Sequence, residues 1–124
     1  MAMSIPAPLS LTRTAGPFVF VSGKLGADPS SGVIPKGDIR TQTDHAITNL
    51  EKDLRVLGLA LSNVVKTTVF LTDMANFSTM NEVYRSRLPE PFPARSTIGV
   101  ASLPDVDALV EIELVAYNDA GPTA

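Results

Sequence analysis

Four groups of residues in this chain could build a site for a small carboxylate or balance its charges. Arg95 opens a run of strand-forming residues, and its planar fork offers a carboxylate two parallel N–H donors. Glu111 and Glu113 alternate with Val110, Ile112 and Leu114, so the two acids share one side of a strand and the apolar groups the other. On a solvated side the glutamates need nothing. On a covered side each needs a cation or donors, because an unpaired buried carboxylate is costly. The counter-charge of Arg95 is then either a glutamate of this protein or the acid group of a small ligand. Asn81 falls within about 60° of Phe77, Tyr84 and Leu88 at helical spacing, which turns it toward a core, as a satisfied core residue or as a group aimed into a cleft. Ser22 and Gly23 close an apolar run, where a hydroxyl and a bare N–H can both donate to an anion; a serine–glycine pair is also a common turn. Lys24 reads as solvated, His45 as a surface or rim residue, and Asp73 as a turn or capping acid.

Composition narrows the chemistry further. The chain has 124 residues, 44% hydrophobic and 19% charged, which suits one globular domain over 1–124. With no cysteine and one histidine, disulfides, thiolate metal sites, cysteine nucleophiles and a Ser-His-Asp triad are excluded or disfavoured, and no metal or cofactor is expected. Ten basic residues stand against 13 acidic ones, a net charge of -3, so nucleic acid is not the expected partner. The N-terminus shows neither a positive leader nor an uninterrupted apolar stretch, and no run approaches the ~20 apolar residues of a membrane span. A cytoplasmic protein is expected.

The elements that must position these groups follow from periodicity. Residues 1–7 read as a flexible arm, within a Pro/Ser/Thr-rich lead-in to residue 16 that has room for one edge strand. Phe18 to Gly23 is a strand and Asp28 to Gly32 a turn. Asp38 caps a helix whose apolar positions Ile39, Ala46, Ile47, Leu50, Leu54 and Leu57 keep the 3.6-residue period, with Gly58 just past its end. Val64 to Thr72 is a strand. Asn76 caps a second helix, Phe77 to Leu88, stopped by Pro89. Arg95 to Ala101 and Leu109 to Tyr117 are taken as two further, neighbouring strands. The order predicts an α/β (α+β) domain, a mixed sheet with two helices on one face.

Two helices cover only one face, yet Phe18/Phe20 and Val19/Val21 put apolar groups on both sides of one strand. The next strand sets Val65, Val69 and Leu71 on one side and Phe70 on the other. Either the sheet curls over itself, or another copy of the chain covers it.

Several stretches closely resemble the RidA/YjgF family: Val64 to Met74, Met80 to Tyr84, Pro93 to Thr97, Val110 to Glu113, Val21 to Gly23 and the Asp28 turn. The resemblance runs in order over residues 8–117. It implies a chorismate-mutase-like fold, a homotrimer with the sheets packed inside, and ligand clefts between subunits. It further implies hydrolysis of reactive enamines and imines, such as 2-aminoacrylate, to a 2-keto acid and ammonia. Arg95 matches the residue that grips the substrate carboxylate, and Glu111 the acid that positions or activates water. Asn81, Ser22 and Gly23 match the cleft lining, and Thr97 stands where a cysteine is common and offers its amide to the ligand. Leu9 replaces a family tyrosine that enters the cleft, Lys24 replaces a common glutamine, and the segment between Leu88 and Phe92 is short. These departures bear on substrate. A dicarboxylic enamine such as 2-aminomuconate, with Lys24 taking the second carboxylate, and a non-catalytic trimer binding small acids are the alternatives. An endoribonuclease or translation inhibitor fits the acidic chain and its lone histidine least.

Overall fold

Alternating apolar residues and long-range pairing build one mixed sheet under two helices. The computed structural model describes residues 6–120, so most of the arm expected over 1–7 lies outside them. The strands are β1 (Thr12–Ala15), β2 (Phe18–Leu25), β3 (Val64–Leu71), β4 (Ala94–Gly99) and β5 (Val110–Tyr117); the helices are α1 (Ile39–Val56) and α2 (Phe77–Arg87). The sheet order is β1-β2-β5-β3-β4. Only β3 and β4 run parallel, joined through α2, as a parallel pair requires a crossover connection. The lead-in thus supplies the edge strand β1. The strands bearing Arg95 and Glu111 are not neighbours, since β3 lies between them.

Local chemistry sets the helix ends. Asp38 accepts the Thr41 amide at 3.0 Å and the Thr41 hydroxyl at 2.7 Å, satisfying donors the first turn leaves open. Beyond α1, Gly58 takes φ +73°, a left-handed stop that costs glycine little. The start of α2 differs from expectation. The Asn76 side chain caps nothing; Asp73 instead accepts the Ala75 amide at 2.9 Å and anchors the tight turn leading into the helix.

Between helices and sheet lie Val19, Val21, Ile47, Leu50, Leu54, Val69, Leu71, Met80, Ile112 and Leu114, all buried. Val65 is not with them. An irregularity in the β3–β5 register between Val64 and Lys66 turns Val64 into the core and leaves Val65 outside, because an extra residue on one strand reverses the alternation. One buried polar residue passes unnoticed in the sequence. Gln42 on α1 donates to the carbonyls of Pro35 (2.9 Å) and Asp107 (3.0 Å) and accepts the Leu109 amide at 2.8 Å. It ties two loops to the helix, and each of its bonds is made, as burial demands.

The face away from the helices carries Phe18, Phe20, Phe70, Ile98 and Tyr117. Val19 and Val21 are 2% and 3% exposed, but Phe18 and Phe20 keep 41% and 48%. Both sides of β2 are therefore apolar, with one side open. Phe18 meets Tyr117 edge-on, ring centres 5.4 Å apart.

Candidate functional site

Strand register sorts the candidate residues by face. Arg95 lies opposite Thr67 and Thr97 opposite Val69, so both belong to the helix side, beneath α2. Glu111 lies opposite Phe70 and Glu113 opposite Thr68, on the open side. Within one chain, Arg95 and Glu111 are separated by the sheet itself.

On the helix side, the Arg95 guanidinium sits 4.8 Å from the centre of the Tyr84 ring and 5.8 Å from that of Phe77, with Met80 Sδ at 3.9 Å from Nη1. Cation–π attraction and the strand hold it in place. No carboxylate pairs with it among the described residues. The Tyr84 hydroxyl is engaged by Thr67 at 2.7 Å, and burial raises its pKa, so the phenol stays neutral. Asn81, Tyr84, Arg85, Phe92, Pro93 and Arg95 line a cleft of about 220 Å³. The Asn81 Oδ1 and Thr97 Oγ1 atoms are both buried without a hydrogen-bond partner among the described residues. A polar atom left so costs about 1–3 kcal/mol. The cleft thus brings together an arginine without a carboxylate partner and Asn81, whose Oδ1 has no hydrogen-bond partner among the described residues. The aromatic seat of Arg95 was missed in the sequence, although Phe77 and Tyr84 share the helical face of Asn81. Arg85, one turn beyond Asn81, was missed too.

On the open side, a larger groove of about 630 Å³ is lined by residues that include Leu9, Ser10, Arg13, Phe20, Ser22 and Glu113. The Ser22 hydroxyl donates to the Ser10 carbonyl at 2.6 Å, so it holds the lead-in segment against β2. Next to it Glu111 leans across Gly23: a Cβ at position 23 would stand 3.0 Å from Glu111 Cδ and 3.1 Å from Cγ and Oε1. Burial, and then the like charge of Glu113, push the Glu111 carboxyl above the usual carboxylate range. Gly23→Ala should therefore swing this carboxyl outward and bring its pKa down toward the ordinary value, with the fold retained. Side-chain carboxyl NMR titration measures this, and an unchanged titration would show that Gly23 plays no part in seating Glu111.

Lys24 belongs to neither group. Beyond a register irregularity in β2 it pairs with Ile112 on the helix side, and its ammonium lies 2.8 Å from Asp53 Oδ2 of α1. It faces a different cleft from that of Arg95, and its charge is already matched. This corrects the expectation that Lys24 is solvated, and it removes the cation assigned to a second carboxylate. His45 is a rim residue, with Nδ1 3.3 Å from the Gly26 carbonyl.

A two-helix layer on one side of a five-stranded mixed sheet, with Arg95 on the parallel edge strand, defines an α+β protein of one sheet and two helices. The chain belongs to the RidA/YjgF family: the family model described as Endoribonuclease L-PSP matches residues 2–118. A RutC family protein from Pyrococcus horikoshii is 43% identical over 112 residues, covering 90% of this chain and 88% of the relative. The 2-iminobutanoate/2-iminopropanoate deaminase of Homo sapiens is 40% identical over 106 residues, 86% of this chain and 77% of that one. Among solved structures, TdcF of E. coli with bound serine superposes with TM-score 0.83 at 32% identity, covering 95% of this chain and 94% of the other. RidA from a Psychrobacter species gives 0.84 at 35% identity over 94% and 93%.

Proposed function

We propose that the protein hydrolyses the imines of 2-keto acids to the keto acid and ammonia, as the name of its human relative describes for that enzyme. The observation that carries this reading is the Arg95 guanidinium, seated on Phe77 and Tyr84 without a carboxylate, beside the unpartnered Oδ1 of Asn81. Arg95 takes the substrate carboxylate in two parallel hydrogen bonds, which fixes the adjacent C=N carbon. Asn81 Oδ1 accepts the imine N–H, and the Thr97 amide and hydroxyl complete the anion's seat. Glu111 orients a water and takes one of its protons as oxygen bonds to the imine carbon; that proton passes to nitrogen, giving a carbinolamine, and the remaining hydroxyl proton then follows by way of Glu111, so that the C–N bond breaks, the C=O forms and ammonia leaves.

Because Arg95 and Glu111 lie on opposite faces of one sheet, the complete site needs two copies. A ring of three chains, each setting its β4 edge against the open face of the next, supplies Glu111, Ser22, Gly23 and Leu9 from one copy and Arg95, Asn81 and Thr97 from another. The exposed Phe18, Phe20 and Tyr117 support such burial. We assign residues 1–124 to a single domain acting in the cytoplasm; no helix of the described residues is long and apolar enough to cross a membrane.

Ammonia release from freshly generated 2-iminobutanoate tests the reading. The protein should accelerate it well beyond the spontaneous rate, with one 2-oxobutanoate formed per ammonia. Binding of 2-oxobutanoate without any acceleration would leave a carrier of small acids and defeat the enzyme.

A further inference from the structure

Arg85 follows Asn81 by one turn of α2 and lines the same cleft as Arg95, its guanidinium carbon 5.8 Å from the centre of the Phe92 ring. The other arginines of the two helices are matched: Arg40 with Glu82, Arg55 with Glu51, and Arg87 with Asp44 and Glu51. Arg85, like Arg95, has no carboxylate within pairing distance among the described residues. Arg85 is exposed and Arg95 half-buried, so one cleft of about 220 Å³ carries two guanidinium groups without a carboxylate partner. A monoanion on Arg95 leaves the second charge unanswered, whereas a ligand with two separated negative charges answers both. The rest of the lining is Phe92, Pro93, the Tyr84 ring and Asn81. The short segment after α2 brings Phe92 back to the helix, and this ring holds Arg85 at the cleft.

We propose that Arg85 is a second anion subsite, selecting substrates whose far end carries a carboxylate, so that the preferred imines derive from 2-oxo dicarboxylic acids. This rests on the proposed function in one respect: Arg95 must take the carboxylate beside the imine carbon. Lys24, committed to Asp53 in another cleft, does not serve this purpose.

Calorimetric titration with matched keto acids tests the assignment on the intact protein. The pairs are 2-oxoglutarate against 2-oxopentanoate and oxaloacetate against 2-oxobutanoate, each of equal carbon number and differing in the terminal carboxylate. In at least one pair the diacid should bind roughly tenfold more tightly, and Arg85→Ala should reduce that ratio to about one. Arg85→Lys, which keeps the charge but loses the fork, should retain part of the preference. Equal affinity within both pairs, or a preference that persists in Arg85→Ala, overturns the second subsite and leaves the proposed function standing. If none of the four acids binds, the proposed function falls and this inference falls with it.

Discussion

Arg95→Ala should abolish measurable binding of 2-oxobutanoate while the protein remains folded. Losing a charge-assisted, bidentate contact costs about 2–5 kcal/mol, a drop in affinity of roughly 30- to 4000-fold. Tyr84 keeps its bond to Thr67 at 2.7 Å, so the floor of the cleft survives the substitution. Arg95→Lys keeps a positive charge but cannot present two parallel donors, and should fall between the wild type and the alanine variant. Calorimetric titration beside a thermal melt separates the outcomes. Unchanged affinity in a folded Arg95→Ala protein would make the arginine a structural cation for the two aromatic rings.

Glu111→Gln should lose about 10²- to 10⁴-fold in turnover yet bind keto acid as well as the wild type. Glutamine fills the same space and still accepts a hydrogen bond, but takes no proton. Two pH readouts accompany this. The acid limb of the wild-type rate should lie above the ordinary glutamate range, because burial and Glu113 raise the Glu111 pKa, and it should vanish in Glu111→Gln. The second readout is stability. A carboxyl whose pKa is raised on folding holds its proton longer in the folded chain. Stability therefore falls as pH rises from the unfolded value through the folded one. Above that window the ionised Glu111 opposes folding, and Glu111→Gln should melt higher than the wild type; below the ordinary glutamate value of about 4.3 the difference should disappear. A variant that keeps its rate would leave Glu111 a mere counter-charge.

Much of the fold was legible because the chain announces it locally. Asp38 and Gly58 bracket α1, and their capping geometry is that of the residue types themselves. The alternation in β2 gave both of its apolar sides. The position of Val65 was not legible, since a register irregularity carries no composition of its own and depends on pairing with a strand about fifty residues away. The same limit hid the division of the site. Arg95 and Glu111 were each recognisable by type and neighbours, but the side of the sheet each one occupies follows from β3 lying between their strands. The pairing of Lys24 was hidden for a related reason: β2 runs on past Gly23, and the shift between Val21 and Lys24 turns Lys24 toward α1 and Asp53.

Of the five described strands, the last in sequence lies in the middle of the sheet. β5 lies between β2 and β3, pairing Tyr117 with Phe18 on one flank and Glu111 with Phe70 on the other. A ribosome-bound chain still lacking β5 can form the β1–β2 hairpin and the β3–α2–β4 unit, but no backbone hydrogen bond joins them. Both present an open strand edge until β5 has been made. Closure of the sheet thus waits for β5, and a nascent chain stopped short of residue 110 is two half-sheets in search of the same missing strand.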